Sequence, residues 1–477
     1  MRILFAASES HPFIKVGGLG DVAYALPKAL RKIGVDARVI IPKYGVIAEN
    51  MRNSMQHIAS FNVPVGWRNQ YGGLEYMEYD GVPFYFIDNE YYFKRDGIYG
   101  YYDDGERFAF FSKAILEAVR YMGDFKPDVI HCNDWHTAAV IPLYKAFFQW
   151  NYPYNNIKTV FTIHNLRYQG VFGKETLGDL LGLGLDYYEE DKMKFYDAIS
   201  FMKGALNMAD RITTVSSTYA EEIKTEYYGE HLDGLLRYRS YDLWGIVNGI
   251  DTDIFNPEKD GEIAYNFNGD KLEEKLKNKE VLQSKLGLAV NKNIPMIGMV
   301  TRLVDQKGLD LVACVMEDIL KMELQLVVLG TGDRAYEDMF RYFAWKYPNK
   351  MSANIFFSND LSKMIYASSD MFLMPSQFEP CGIGQLISLR YGSLPIVRET
   401  GGLKDTVHPY NEFTGEGNGF SFSNYNAHDM LYTIQRAVHY YYDEKKIWNS
   451  LVRTAMWEDN SWSKSANKYV ELYNSMM

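Results

Sequence analysis

Cysteine is scarce in this chain. Three cysteines among 477 residues, Cys132, Cys314 and Cys381, are too scattered, and odd in number, for a disulfide framework, and they predict a reducing compartment. No apolar run approaches the roughly 20 residues that cross a membrane. The first strand starts at Met1 and contains Arg2, which leaves no signal peptide to remove, so a cytoplasmic protein is expected. Positive charge is in deficit: 50 Lys and Arg against 61 Asp and Glu give a net charge of −11, which argues against a nucleic-acid partner, although local cations can still hold a compact nucleotide. There is no internal repeat, no low-complexity tract, and no Gly-Lys-Ser or Gly-Lys-Thr triplet to complete a Walker P-loop.

What is present is an ordinary soluble composition, 47% hydrophobic and 23% charged, in a chain too long for one core and suited to two domains. Apolar strands are read at 2–7, 37–41, 82–87, 128–132, 159–163 and 211–215. Helical stretches separate them, such as 21–33 and 108–121, while 66–79 resembles a hairpin. After an irregular stretch around Asn248-Gly249 and Asn256-Pro257, a second series follows at 296–300, 325–330, 354–357, 371–375 and 394–397. Apolar strands between helices predict parallel sheets covered on both faces. The fold class is therefore α/β, two doubly wound, Rossmann-like domains facing a deep interdomain cleft, with ligands beyond the carboxyl ends of the strands. The last segment, 457–473, reads as a helix with an aromatic stripe.

The segment Lys15-Val16-Gly17-Gly18-Leu19-Gly20-Asp21 opens directly into a helix. Glycines let backbone N–H groups approach an anion, the helix start adds partial positive charge, and the lysine adds a full one. Gly18, Gly20 and Ala23 fit the dinucleotide pattern G-x-G-x-x-A, but the glycines do not follow the strand at once, and no carboxylate ends the second strand. Arg302 and Lys307 follow a strand as a cation pair, and two cations there suit a diphosphate leaving group, against the plain reading of solvated loop charges. Glu379, in Ser376-Gln377-Phe378-Glu379-Pro380-Cys381-Gly382, can accept from sugar hydroxyls, serve as a glycosidase nucleophile, or cap the following helix. His164, after its strand, can bind a hydroxyl, act as a base or be structural.

These segments, with Asp134-Trp135-His136, Thr162-Ile163-His164-Asn165, Val247-Asn248-Gly249-Ile250-Asp251, Thr301-Arg302-Leu303 and Thr400-Gly401-Gly402-Leu403, occur in one order from the first residues to about residue 410. Together the chain resembles the bacterial glycogen synthases and plant starch synthases. The resemblance implies a B-type glycosyltransferase that moves glucose from ADP-glucose to the non-reducing end of an α-1,4-glucan with retention of configuration. It implies an acceptor-side domain over 1–245, a nucleotide-sugar-binding domain over 246–455, and a C-terminal helix within 456–477 that crosses back onto the first. It assigns catalytic roles to Glu379, His164, Asp134, Arg302 and Lys307. Donor or acceptor contacts fall to Lys15, Gly17, Gly18, Asp21, Glu9, Asn248, Cys381, Gly382 and Phe357. No cofactor, metal, nucleic acid or membrane is implied. A UDP-glucose-dependent retaining glucosyltransferase and an inactive glucan-binding protein on the same scaffold are the alternatives, with a dehydrogenase a distant third.

Two signals are discounted. Asp251-Thr252-Asp253 has the D-x-D form that holds a metal in other glycosyltransferases, but it lies in a linker. His131, Cys132 and His136 lack the fourth ligand and the spacing of a structural zinc site. Two departures from the family stand out. Ile383-Gly384-Gln385 replaces the usual Leu-Thr-Gln, removing a hydroxyl, and Phe356-Phe357-Ser358 stands where Gly-Tyr is common. A phenylalanine still stacks on a nucleobase but donates no hydrogen bond.

Overall fold

Ile3, Leu4, Phe5 and Ala6 are apolar in succession, and all four side chains are fully buried. A strand of that kind needs cover on both faces. In the computed structural model, which describes all residues from Met1 to Met477, it is β1 (Arg2–Ala6) inside a nine-stranded sheet. Its fellow strands are β2 (Asp36–Pro42), β3 (Gln56–Val65), β4 (Arg68–Tyr79), β5 (Val82–Asp88), β6 (Val129–Asn133), β7 (Lys158–Ile163), β11 (Arg211–Thr214) and β12 (Leu243–Gly245). The order is β12-β11-β7-β6-β1-β2-β5-β4-β3, parallel except for the antiparallel pairs of β4 with β3 and β5. The hairpin expected at 66–79 is thus larger, turning at Gly66-Trp67 with β3 as its first strand. β3 escapes a sequence reading because most of its side chains face solvent. A small antiparallel sheet of β8 (Val171–Gly173), β9 (Lys194–Phe195) and β10 (Ala198–Ser200) lies between β7 and β11 in sequence.

The chain divides into two units, Met1–Asn248 with Trp462–Met477, and Gly249–Ser461. Trp457 ends the helix Lys445–Trp457 in the second unit, and the helix of the first unit starts at Trp462. The single helical run expected over 457–473 is therefore broken. Its break, Glu458 to Ser461, contains Asp459, whose carboxylate accepts from the Ser461 N–H at 3.0 Å in a local turn. The helix Trp462–Asn474 packs on the helix Gly18–Lys32, burying Tyr469, Leu472 and Tyr473.

The second unit is a six-stranded, all-parallel sheet in the order β15-β14-β13-β16-β17-β18. Its strands are β13 (Met296–Val300), β14 (Gln325–Leu329), β15 (Met351–Asn354), β16 (Met371–Met374), β17 (Leu394–Arg398) and β18 (Phe420–Phe422). Strand alternation separates two apolar layers. Leu326 and Val328 point to the layer containing Leu309, Val312, Met430 and Ile434. Val327 and Leu329 point to the layer with Leu282, Leu361 and Ile365. β15 ends at Asn354, so the strand expected over 354–357 is shifted, and Phe357 lies in a loop, 80% exposed. The physical reason is Ser358, whose hydroxyl accepts from the Leu361 N–H at 3.1 Å and starts the helix Asn359–Ser368.

Candidate active site

In the first unit β1, β6 and β7 are parallel neighbours, so the segments after them share one edge of the sheet. Ser8 and Glu9 follow β1, Asn133 ends β6 with Asp134 directly after it, and His164 follows β7. Glu9 is 3% exposed. Its carboxylate accepts from the N–H groups of Val16 and, at 3.3 Å, Gly17. It therefore shapes the glycine loop from beneath. Burial pushes its carboxyl up to about 7, against the pull of those N–H donors. Lys15 contacts Asp21 at 2.8 Å across a half-exposed surface. Such pairs are weak, on the order of 1 kcal/mol or less, so an arriving anion can recruit the lysine. Gly17 and Gly18, both exposed, sit at the start of the helix Gly18–Lys32.

Asp134 has φ 55°, a left-handed conformation that costs a non-glycine residue of order 1–3 kcal/mol. That turn aims its carboxylate at β7, where it accepts from the N–H groups of His164 at 2.8 Å and Asn165 at 3.4 Å. Burial, opposed by those bonds, raises its carboxyl to about 7. The His164 ring contacts Asn133 Oδ1 through Nε2 at 2.9 Å, and burial pushes its pKa down to about 3, so the ring is neutral. His131, Cys132 and His136 do not converge. His131 meets Tyr473 and Thr162, and the His136 ring lies tilted against those of Trp135 and Tyr99, with centroids 4.2 and 4.5 Å away. Asn248 is buried with its side-chain oxygen unpartnered.

In the second unit β13 and β16 are neighbours, which brings the segments after them together. Lys307 Nζ lies 2.6 Å from Glu379 Oε2, and the Ser376 hydroxyl donates to the same oxygen at 3.0 Å. Glu379 does not cap the helix Gly384–Arg390, whose first residues receive no side-chain bond. Arg302 is exposed. The Glu379 loop is clamped by backbone and side chains alike. Arg398 donates to the Ser376 carbonyl at 2.8 Å, Gln306 to the Phe378 carbonyl at 3.3 Å, and Gln385 to the carbonyls of Cys381 and Gly382 at 3.0 Å. Two glycines allow the close approach. At Gly308 (φ +70°) a Cβ would stand 2.0 Å from the Pro375 carbonyl oxygen. At Gly401 (φ +44°) it would stand 2.0 Å from the Glu379 carbonyl oxygen. The Thr400 to Leu403 motif is therefore a seat for the Glu379 loop. Cys381 is buried, unlike Cys314. Asp251 uses a carboxylate oxygen locally, accepting from the Asp253 N–H at 2.8 Å. A cavity of about 40 Å³ lined by Glu258, Arg390 and Trp457, among others, includes none of the expected site residues.

Sequence reasoning missed Asn133, Ser376 and Arg398. Asn133 and Arg398 meet partners on another strand or loop, which no spacing signals, whereas Ser376 reaches Glu379 within its own loop.

Residues 2–238 match the family model of the starch synthase catalytic domain, and residues 280–449 that of the glycosyl transferases group 1. A glycogen synthase from Clostridium acetobutylicum is 69% identical over the whole of both chains. One from Clostridium novyi is 62% identical over all of this chain and 99% of its own. Among solved structures, the catalytic domain of starch synthase IV from Arabidopsis thaliana, bound to ADP and acarbose, has a TM-score of 0.94 at 35% identity, covering 100% of this chain and 99% of that one. A sucrose-phosphate synthase from Thermosynechococcus elongatus, with a TM-score of 0.63 at 16% identity over 100% of this chain and 98% of its own, shares the fold.

Proposed function

This chain belongs to the family of bacterial glycogen synthases and plant starch synthases, and from that premise we propose that it transfers glucose from ADP-glucose to the non-reducing 4-hydroxyl of an α-1,4-glucan, with retention of anomeric configuration. The observation that carries this reading is the 2.6 Å contact of Lys307 with Glu379. In a nucleotide sugar the diphosphate is joined directly to the anomeric carbon. At that junction a cation suits the phosphate and a neighbouring carboxylate suits the sugar hydroxyls. Arg302 and Lys307 neutralise charge that builds on the departing diphosphate, and Lys15 with the helix start behind it adds positive potential. Glu379 orients the glucose and stabilises positive charge at its anomeric carbon. His164, neutral, offers its ring to a sugar hydroxyl. Phe357 supplies an exposed face for the base, and the glycine loop serves the acceptor or nucleotide side. The intact set of these residues favours an enzyme over an inactive glucan-binding scaffold.

No helix is long and apolar enough to cross a membrane, and three free cysteines fit the reducing cytoplasm, where we place the enzyme. The test is incubation with radiolabelled ADP-glucose or UDP-glucose and glycogen, scoring label in polymer. ADP-glucose is expected to give at least about tenfold higher kcat/KM, near 1.4 kcal/mol. A preference for UDP-glucose overturns the base assignment, and no label in polymer from either donor overturns the reaction.

A further inference from the structure

Asn133 has the right neighbours to decide which nitrogen of His164 carries the proton. In the register of β6 against β7, Asn133 stands beside Thr162, and His131 beside Val160. Side chains two residues apart on a strand share a face, so two cross-strand contacts repeat along one side of the pair. His131 Nε2 meets the Thr162 hydroxyl at 2.6 Å. One step further on, Asn133 Oδ1 meets His164 Nε2 at 2.9 Å. The Asn133 amide nitrogen donates to two backbone carbonyls, those of Ala6 at 3.0 Å and His131 at 3.2 Å. Carbonyls only accept, so the amide cannot be turned the other way, and Oδ1 must face the ring. An amide oxygen has no proton to give. The nitrogen facing it therefore carries the hydrogen, and Nδ1 holds the lone pair.

The backbone of the same histidine is fixed from the same corner, since Asp134 accepts from the His164 N–H at 2.8 Å. Nδ1 makes no hydrogen bond within the protein. We propose that Asn133 is a positioning residue for sugar transfer: it locks the His164 imidazole as the Nε2–H tautomer and presents Nδ1 purely as a hydrogen-bond acceptor for a hydroxyl of the transferred sugar. The proposal rests on the glucosyltransferase reading above. Burial keeps the ring neutral, with its pKa lowered to about 3, so the acceptor persists at physiological pH. The anchorage reaches deeper, because His131 Nδ1 is held by the Tyr473 hydroxyl at 2.8 Å, which ties this face of β6 to the C-terminal helix.

The test has one readout that needs no turnover. In the full-length protein with ¹⁵N-labelled histidine, the His164 signals, assigned by their loss in His164→Gln, should show Nε2 as the protonated, pyrrole-like nitrogen and Nδ1 as the pyridine-like one. The reverse assignment overturns the proposal whatever the activity. Asn133→Ala should show mixed tautomers and a kcat lower by about ten- to a hundredfold with KM for ADP-glucose nearly unchanged, beside a lower melting temperature from the hydrogen bonds lost in the core. An Asn133→Ala protein with wild-type kcat also overturns it. Asn133→Ser, which keeps a hydroxyl acceptor near the ring, should recover part of the rate and serves if the alanine variant does not fold. A wild-type protein that transfers no glucose yet shows the Nε2–H tautomer would sink the assigned reaction and leave the tautomer lock standing.

Discussion

At the scale of single residues, the carboxylates Glu9 and Glu379 are held where solvent hardly reaches them. Glu379, 7% exposed, has one oxygen engaged by both Lys307 and Ser376, which leaves its other oxygen for a ligand. Glu379→Gln keeps the size and loses the charge. Its kcat should fall by roughly a hundredfold or more while the melting temperature moves little; unchanged kcat with a lower melting temperature would assign the residue to structure alone. Glu9 offers a second prediction, in pH. Its carboxyl is raised from 4.5 to about 7, chiefly by burial. The folded state thus binds the proton more tightly than the unfolded chain, so the group's stabilising contribution is full below about pH 4.5 and is lost as pH rises through about 7. Measured from about pH 5 to about pH 9, wild type should lose ground against Glu9→Gln up to about pH 7 and level off above it, the total being of order a few kcal/mol. A pH-independent difference between the two would show that Glu9 does not titrate in this window.

At the scale of elements, loops bearing the chemistry are positioned by neighbouring strands and seated on glycine. Gly401 shows how tightly. A methyl group there would collide with the Glu379 carbonyl, and the loop is bound on its other side by Arg398 and Gln306, so it can yield only by moving Glu379 itself. Gly401→Ala is expected to lower kcat by about ten- to a hundredfold, since a displacement of about 1 Å at a catalytic group costs that much. Steady-state kinetics beside a melting curve checks it, and a variant with wild-type kcat would mean that the loop has slack. The corner at Asp134 is the counterpart in the first unit. There a strained backbone turns one carboxylate onto the N–H of the next strand's histidine.

At the scale of the whole molecule, a chain with net charge −11 would, on the proposed reading, need locally placed cations to hold a doubly charged diphosphate. Lys15 stands at a helix start in the first unit, and Arg302 with Lys307 follows β13 in the second. On the proposed reading these cations do, each in its own unit, what a divalent cation does in other enzymes. Two outcomes follow for the assay with ADP-glucose and glycogen. Activity should persist in excess EDTA, and Arg302→Ala should cost roughly a hundred- to a thousandfold in kcat, about 2.7 to 4 kcal/mol. Turnover abolished by the chelator and restored by magnesium would refute the cation account and turn attention to Asp251 and Asp253.

Much of this was legible in the order of residues. Runs such as Ile3 to Ala6 and Leu326 to Leu329 read as buried strands because a strand covered on both faces must be apolar at every position, and that is a local property. The site motifs were legible because each occupies one short loop after such a strand. What tertiary structure alone decided is adjacency. β6 lies beside β7 and β13 beside β16, so Asn133 meets a histidine 31 positions away and Lys307 a glutamate 72 positions away, and no periodicity encodes such pairings. β9, two residues long, is too short to show a period, and β3 alternates only over Phe61, Val63 and Val65, with Pro64 inside the run. The seat at Gly401, the turn of Asp134 and the proton on His164 depend on atoms from distant segments arriving within hydrogen-bond distance, and only the folded chain brings them there.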